Sequence, residues 1–257
     1  MNPIMQCPCT TPPTPFHFLF ATHMRKVAGE QPIIGEFLQC ENCGLLRLAE
    51  EQCLNEDAYV DNEYRESVGH GVSSEEQLVK HATLNELIVH HLNLPSNEAI
   101  IDIGAGAGGV LDLLKPTAEA TAAIEPNQVL ALELAKRHAW FGSTQSALEQ
   151  DNAGKATRAL CILTLEHLTD PWQILLDTAN LLAPNGRLNV VVPALDGTRA
   201  WREPDYRVVW FCAQHRWYFT PDSLGNMLRV TGFAPELVEQ WTRPDGWAYW
   251  HIEAVKC

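Results

Sequence analysis

The sequence predicts an α/β protein: a mostly parallel sheet covered by helices, closed by an antiparallel hairpin and preceded by a small cysteine-bearing module. Three observations carry this. From Ala99 onward short apolar runs alternate with helical patterns, a glycine-dense turn at Gly104–Gly109 interrupts the first alternation, and Cys7, Cys9, Cys40 and Cys43 gather near the start of the chain.

Taken in order, residues 1–50 are irregular and hold those four cysteines, so a module is expected over residues 1–55. A linker and lid helix follow over 56–95. There Ser74 with Gln77 makes a capping box, and Leu84, Leu87, Ile88 and His91 or Leu92 fall at helical spacing. The main domain, 96–257, begins with strand Ala99–Ile103, a helix ending at Leu114 before Pro116, strand Ala120–Ile124, helix Gln128–Arg137 and strand Ala139–Gly142. Strand Arg158–Leu163 comes next, then a helix entered through Asp170 as cap and Pro171 at its first position, and a Pro184-Asn185-Gly186 turn into strand Arg187–Val192. After helix Pro221–Thr231, capped by Thr220, the runs Phe233–Trp241 and Trp247–Val255 flank a Pro244-Asp245-Gly246 turn and form the closing hairpin.

The bulk numbers exclude several roles. With 18 basic against 32 acidic side chains the chain carries a net charge of −14, which repels phosphate backbones and anionic lipid, so neither nucleic acid nor a membrane is an expected partner. The apolar run Phe16–Ala21 is broken by His17 and is too short for a membrane span or signal peptide. A cytoplasmic location is expected, in which the eight cysteines stay reduced and are read as metal ligands or buried thiols.

A strand running into glycines and then a helix offers bare backbone N–H groups to a ribose- or phosphate-bearing ligand. Gly104, Gly106 and Gly109 satisfy G-x-G-x-x-G, and Glu125 lies where a carboxylate can take both ribose hydroxyls, which suits a nicotinamide dinucleotide equally well. Asp102 breaks the tie, because a carboxylate this close repels a pyrophosphate and attracts a cofactor carrying an ammonium and a sulfonium. Here the sequence resembles the class I S-adenosylmethionine-dependent methyltransferases, whose first motif, acid-x-glycine-x-glycine-x-glycine, reads Asp102, Gly104, Gly106, Gly108. The segments "LTLEHLTDPWQILLDTANLLAPNGRLNVVVP" and "QHRWYFTPDSLGNMLRVTGF" resemble later stretches of a small-molecule branch of that family, and the resemblance covers the chain from about Ser74 onward.

The resemblance implies a Rossmann-like fold whose last two strands are antiparallel, with S-adenosylmethionine as cofactor. It assigns the ribose to Glu125, with Ala105 and Pro126 beside the cofactor, the adenine pocket to Ser146 and Ala147, and the methionine side to Thr164 and Leu165.

Cys40-Glu-Asn-Cys43-Gly is a knuckle in which two thiolates can face one zinc ion, and Cys7 with Cys9 is the nearby pair that completes four ligands, His17 or His23 being possible substitutes. "CENCGLLRL" resembles the second half of the zinc ribbon on certain sugar C-methyltransferases; the first half, normally Cys-x-x-Cys, is here Cys7-Pro8-Cys9. The competing reading is four reduced thiols in a metal-free loop. A closed four-thiolate shell makes the zinc structural, and a module this poor in apolar residues needs it to fold. Cys53, Cys161, Cys212 and Cys257 lack ligand spacing.

A general base is needed only where the methyl acceptor holds a proton, and His215 and His167 are the candidates. His215 lies among Trp210, Phe211, Trp217, Tyr218 and Phe219, which serve as core or as pocket walls. Tyr59, Tyr64 and Arg65 lie where a lid could fold over the cofactor. The acceptor is a small metabolite, a nucleotide-linked sugar or a natural-product intermediate, and the sugar C-methyltransferases sharing the ribbon are longer, so C-, O- and N-methylation stay open. The alternatives are a non-enzymatic binding or scaffolding module and a nicotinamide-dependent oxidoreductase.

Overall fold

The computed structural model describes residues 6–24, 33–54, 57–60, 73–194 and 211–257. Seven strands, β5 (Ala99–Ile103), β6 (Ala120–Ile124), β7 (Ala139–Phe141), β8 (Ala156–Ile162), β9 (Leu182–Pro193), β11 (Phe233–Thr242) and β12 (Ala248–Lys256), form one sheet in the order β11-β12-β9-β8-β5-β6-β7. A second sheet orders β1 (Gln6–Cys7), β2 (Thr14–Met24), β3 (Ile33–Cys40), β4 (Leu46–Leu48) and β10 (Trp217–Tyr218) as β1-β2-β3-β4-β10. The chain divides into two compact units. One comprises Met1–Leu54, Leu163–Gln173 and Val190–Ala254; the other comprises Asn55–Ile162, Ile174–Asn189 and Val255–Cys257.

In the second unit β5 pairs in parallel with β6 and with β8, and β6 in parallel with β7, as the β–α alternation requires. Ile100, Ile101 and Ile103 are buried along with Asp102, so β5 hides both of its faces and reads as a continuous apolar run with one exception. That exception is the carboxylate ahead of the glycines.

Helix Ser74–Leu92 precedes the sheet as expected, but its cap is Ser73, not Ser74: Ser73 Oγ accepts from Glu76 N at 3.2 Å and Glu76 Oε2 accepts from Ser73 N at 3.2 Å. Both pairs fit the capping-box rule, and burial separates them, since Ser74 and Gln77 are buried whereas the working pair sits in solvent. The helix packs on helix Gly109–Leu114 so closely that a Cβ on Gly109 would stand 2.1 Å from Asn85 Nδ2.

The helix expected over Gln128–Arg137 ends at Leu134, and its cap is Asn127, whose Oδ1 accepts from Val129 N and Leu130 N. Strand β9 starts at Leu182, earlier than the expected Arg187, and absorbs the Pro184-Asn185-Gly186 turn as a local kink, with Asn185 at φ 60°. The Asp170 and Thr220 caps form as expected. Asp170 Oδ1 accepts from Gln173 N at 3.0 Å, and Thr220 Oγ1 from Ser223 N at 3.2 Å.

In the first unit, β11 and β12 are sheet neighbours joined by a turn closed by Arg243 N donating to Trp247 O at 2.7 Å. So short a connection allows only the antiparallel hairpin that was expected. The amino-terminal segment departs from expectation. In place of an irregular loop, β2 and β3 form a long antiparallel ribbon with a register shift between Phe18 and Phe20. Its core consists of Met24, Phe37, Leu46 and Leu48 together with Phe211, Ala213 and Tyr218, residues from far along the sequence. Phe37 stacks on Phe20 at 5.0 Å and meets Phe211 edge-on at 4.8 Å. The segment therefore shares an apolar core with residues 211–218 of the same unit.

Strand β10 extends this sheet by pairing antiparallel with β4, Trp217 opposite Arg47 and Tyr218 opposite Leu46. The buried Arg47 lies over the Trp217 ring at 5.2 Å and pairs with Glu50 at 2.5 Å; Arg216 reaches the same carboxylate at 2.7 Å.

Candidate active site and metal centre

The glycine turn follows directly from the parallel pairing. Ile103 sits opposite Ile124 at the ends of β5 and β6, and Gly104 N and Ala105 N both donate to Ile124 O, at 2.8 and 3.1 Å. Gly104, Gly106 and Gly108 take φ of 78°, 56° and 82°, the left-handed region in which a Cβ is strained. Glu125 is buried one residue past β6. Its Oε2 accepts from Gly106 N at 2.8 Å and its Oε1 from Asn127 N at 3.0 Å. Half-buried Pro126 separates these two anchors.

Asp102 is 3% exposed, and its Oδ1 is buried without a hydrogen-bond partner among the described residues. Burial, reinforced by the charge of Glu125, pushes its carboxyl up to about 7. A buried orphan acceptor beside a second carboxylate is costly unless a cation or donor arrives. The ammonium of S-adenosylmethionine meets that requirement and a pyrophosphate does not, so these residues fit the cofactor.

Three supporting residues were invisible in the sequence. Arg137 pairs with Asp112 and donates to Ala107 O at 2.6 Å, tying the glycine turn and helix Gly109–Leu114 to the segment just past helix Gln128–Leu134. His138, its side chain buried, bridges Asp112 Oδ1 at 3.0 Å and Thr121 Oγ1 at 2.8 Å; burial lowers it to about 4 and keeps it neutral. Trp140 Nε1 donates to Glu125 O at 3.0 Å. A histidine-arginine pair beside a helix end gives no signal of the turn it braces, because every partner is distant in sequence.

Of the remaining cofactor candidates, Ser146 belongs to a capping box with Ser143 at the start of helix Thr144–Glu149, and Ala147 is fully buried behind it. Thr164 and Leu165 belong to the first unit, where Leu165 is fully buried and opens the 3-10 turn Leu165–His167. Leu163, just before them, takes φ 50°, a strained conformation for a branched side chain.

That 3-10 turn is stitched to residues 214–217 of the same unit. The Nδ1–H of His167 donates to Gln214 O at 2.8 Å, Arg216 N to Glu166 O at 2.8 Å and Trp217 Nε1 to Leu168 O at 2.7 Å. The result brings the two candidate histidines together, His167 and His215 having ring centroids 5.0 Å apart, and adds Glu166, which the sequence analysis did not single out as a site residue. Glu166 is 1% exposed; burial raises it to about 8 and lowers His167 to about 4. Phe211, Trp217, Tyr218 and Phe219 are all buried as core, and Trp210, Tyr64 and Arg65 lie outside the described residues. Tyr59 falls on the short helix Asp57–Val60.

The four expected cysteines converge. Cys7 Sγ stands 3.7 Å from Cys43 Sγ, Cys9 Sγ stands 3.5 Å from Cys40 Sγ, and all four sulfurs lie within 4.8 Å of one another. A tetrahedral ion with Zn–S bonds of about 2.3 Å sets its sulfurs about 3.8 Å apart, so the donor set fits zinc. The Cys7-Pro8-Cys9 spacing does not prevent closure. Gly44 at φ 73° and its N–H to Cys40 O at 2.9 Å make the knuckle. Neither His17 nor His23 is in the cluster.

A parallel sheet closed by an antiparallel hairpin, with an acid-led glycine turn and a buried carboxylate at the end of the next strand, defines a class I methyltransferase fold. A family model described as "Methyltransferase domain" matches residues 78–238, and the chain belongs to that family. A search of curated protein sequences found no match. Among solved structures the chain is similar to a methyltransferase in complex with the Trm112 methyltransferase activator from Haloferax volcanii, at TM-score 0.55 and 11% identity over 71% of this chain and 93% of that one. It is also similar to the [4+2]-cyclase SpnF, at TM-score 0.52 and 15% identity over 68% and 80% of the two chains. A methyltransferase from Methanosarcina mazei matches at TM-score 0.51 and 16% identity over 65% and 96%. At these identities the likeness establishes the fold.

Proposed function

We propose that this methyltransferase moves a methyl group from S-adenosylmethionine to a small metabolite, a nucleotide-linked sugar or a natural-product intermediate. The observation that carries the reading is the orphaned, buried Oδ1 of Asp102 beside the glycine turn. When bound, the cofactor supplies an electrophilic methyl on a sulfonium. Asp102 receives the ammonium of its methionine part, Glu125 accepts the ribose hydroxyls, and the backbone of Gly104, Ala105, Gly106 and Gly108 lets the ligand approach, with Pro126 alongside. Ser146 and Ala147 are assigned to the adenine, Thr164 and Leu165 to the methionine side.

Methyl transfer is an in-line displacement in which alignment does most of the work, worth roughly 7–11 kcal/mol. Where the acceptor holds a proton, His215 and His167 remove it. Burial lowers His167 to about 4, which leaves it a weak base near neutral pH and favours His215 for that step.

We further propose that Cys7, Cys9, Cys40 and Cys43 hold a structural zinc, which leaves no open position for a substrate. The protein is proposed to work in the cytoplasm, where such thiols stay reduced; no helix among the described residues is long and apolar enough to cross a membrane. Calorimetric titration tests the donor assignment: S-adenosylhomocysteine binds and NAD does not. Binding of NAD with no response to S-adenosylhomocysteine rejects it.

A further inference from the structure

The cluster of Glu166, His167 and His215 has a composition that acid–base work alone does not require. One carboxylate oxygen and one nitrogen from each ring all lie within 4.8 Å of one another, Glu166 Oε1 standing 3.9 Å from His167 Nε2. Glu166 Oε2 is buried and has no hydrogen-bond partner among the described residues, a costly state for a carboxylate sealed in the interior. His167 is held in a definite tautomer: because Nδ1 carries the proton donated to Gln214 O at 2.8 Å, Nε2 carries the lone pair. A histidine whose other nitrogen is anchored on a backbone carbonyl is the usual outer support of a metal ligand.

We propose that Glu166, His167 and His215 form a second divalent transition-metal site, a two-histidine, one-carboxylate set separate in chemistry from the four thiolates. Imidazole and carboxylate donors favour zinc, cobalt, nickel or iron(II) over calcium or magnesium. With bonds of about 2.0–2.2 Å the donors must draw together by about 1 Å, and the 3-10 turn bearing Glu166 and His167 is already fixed to residues 214–217 by the hydrogen bonds above. Three protein ligands leave positions open for an oxygen of water or of a substrate hydroxyl, and coordination there lowers the hydroxyl's pKa. With an ion bound, the two rings act as ligands in place of bases. The inference rests on the cluster alone and stands or falls independently of which methyl donor is used.

The test is a cobalt(II) titration of the full chain with its thiolate site already filled with zinc, followed by absorption spectroscopy and metal analysis. One further cobalt per chain is expected, with the spectrum of nitrogen and oxygen ligands and without the thiolate-to-cobalt charge-transfer band that displacement of zinc from the cysteines would produce. His215→Ala and the near-isosteric Glu166→Gln should each weaken this binding at least tenfold, while His17→Ala, at an exposed site, leaves it intact. Glu166→Gln preserves volume and one carbonyl oxygen, so it serves if His215→Ala fails to fold. Failure to take up a second ion, or its retention by either folded cluster variant, overturns the proposal.

Discussion

Asp102→Asn removes a charge and keeps the shape, and it should move stability and ligand binding in opposite directions. The wild-type carboxyl is raised from 3.8 to about 7, so its ionised form is disfavoured in the folded protein. A folded value above the unfolded one means that the stability linked to this group is fully present below about pH 4 and is lost as pH climbs to 7. At 1.36 kcal/mol per unit the loss reaches about 4 kcal/mol above pH 7, and the asparagine variant does not suffer it. The ligand-free variant should therefore match the wild type near pH 4 and exceed it by up to about 4 kcal/mol at pH 8. Cofactor binding reverses the ranking, because the ammonium needs the carboxylate: S-adenosylhomocysteine should bind the wild type more tightly as pH rises to 7, with proton release, and bind the variant at least tenfold more weakly at pH 8 without it. Urea denaturation across pH 4–8 gives the first quantity and calorimetry in buffers of different ionisation enthalpy gives the second. A variant no more stable than wild type at pH 8, with unchanged affinity, refutes the reasoning.

Glu125→Ala removes the acceptor for Gly106 N and Asn127 N as well as the proposed ribose contact; at about 1.5–3 kcal/mol for a bond to a charged group, calorimetry should show a loss of affinity of tenfold or more, and an unchanged value removes the ribose assignment. Cys40→Ser should remove the thiolate-bound zinc, so that metal analysis falls by one ion per chain relative to the wild type; a wild-type chain purified without metal, or a variant with the same metal content as the wild type, contradicts the structural-zinc proposal. Phe37→Ala empties a site packed by Phe20, Phe211 and Tyr218 and should cost about 3–5 kcal/mol, read as a lowered urea midpoint; a change below 1 kcal/mol would mean that the cysteine module does not share the core assigned to it.

What the sequence made legible was local or periodic. The strand–glycine–helix run at Ile103–Gly109, the Asp170 and Thr220 caps and the closing hairpin each depend on residues within one turn or one strand, and all are present in the fold. The four cysteines were legible by ligand chemistry even with an irregular Cys7-Pro8-Cys9 bite. The β2–β3 ribbon escaped notice because Phe18, Leu19 and Ile34 are exposed and the bulge between Phe18 and Phe20 breaks the period of two. The core that completes the ribbon is supplied by Phe211, Ala213 and Tyr218, a pairing no local pattern encodes. At Ser73 and Ser74 the capping rule offered equal choices, and tertiary burial of Ser74 and Gln77 decided between them. Glu166 entered the sequence reading only as part of the Glu-His segment that carries the resemblance; its significance comes from burial beside two rings, one of them 49 positions away in the chain.

A crystal structure of the protein with S-adenosylhomocysteine measures the central claim most directly. The account predicts the ligand's ammonium within about 4 Å of the Asp102 carboxylate, directly or through one water, and its ribose hydroxyls on Glu125. A ligand bound elsewhere, or an Asp102 side chain that still faces no cationic group in the complex, would contradict it.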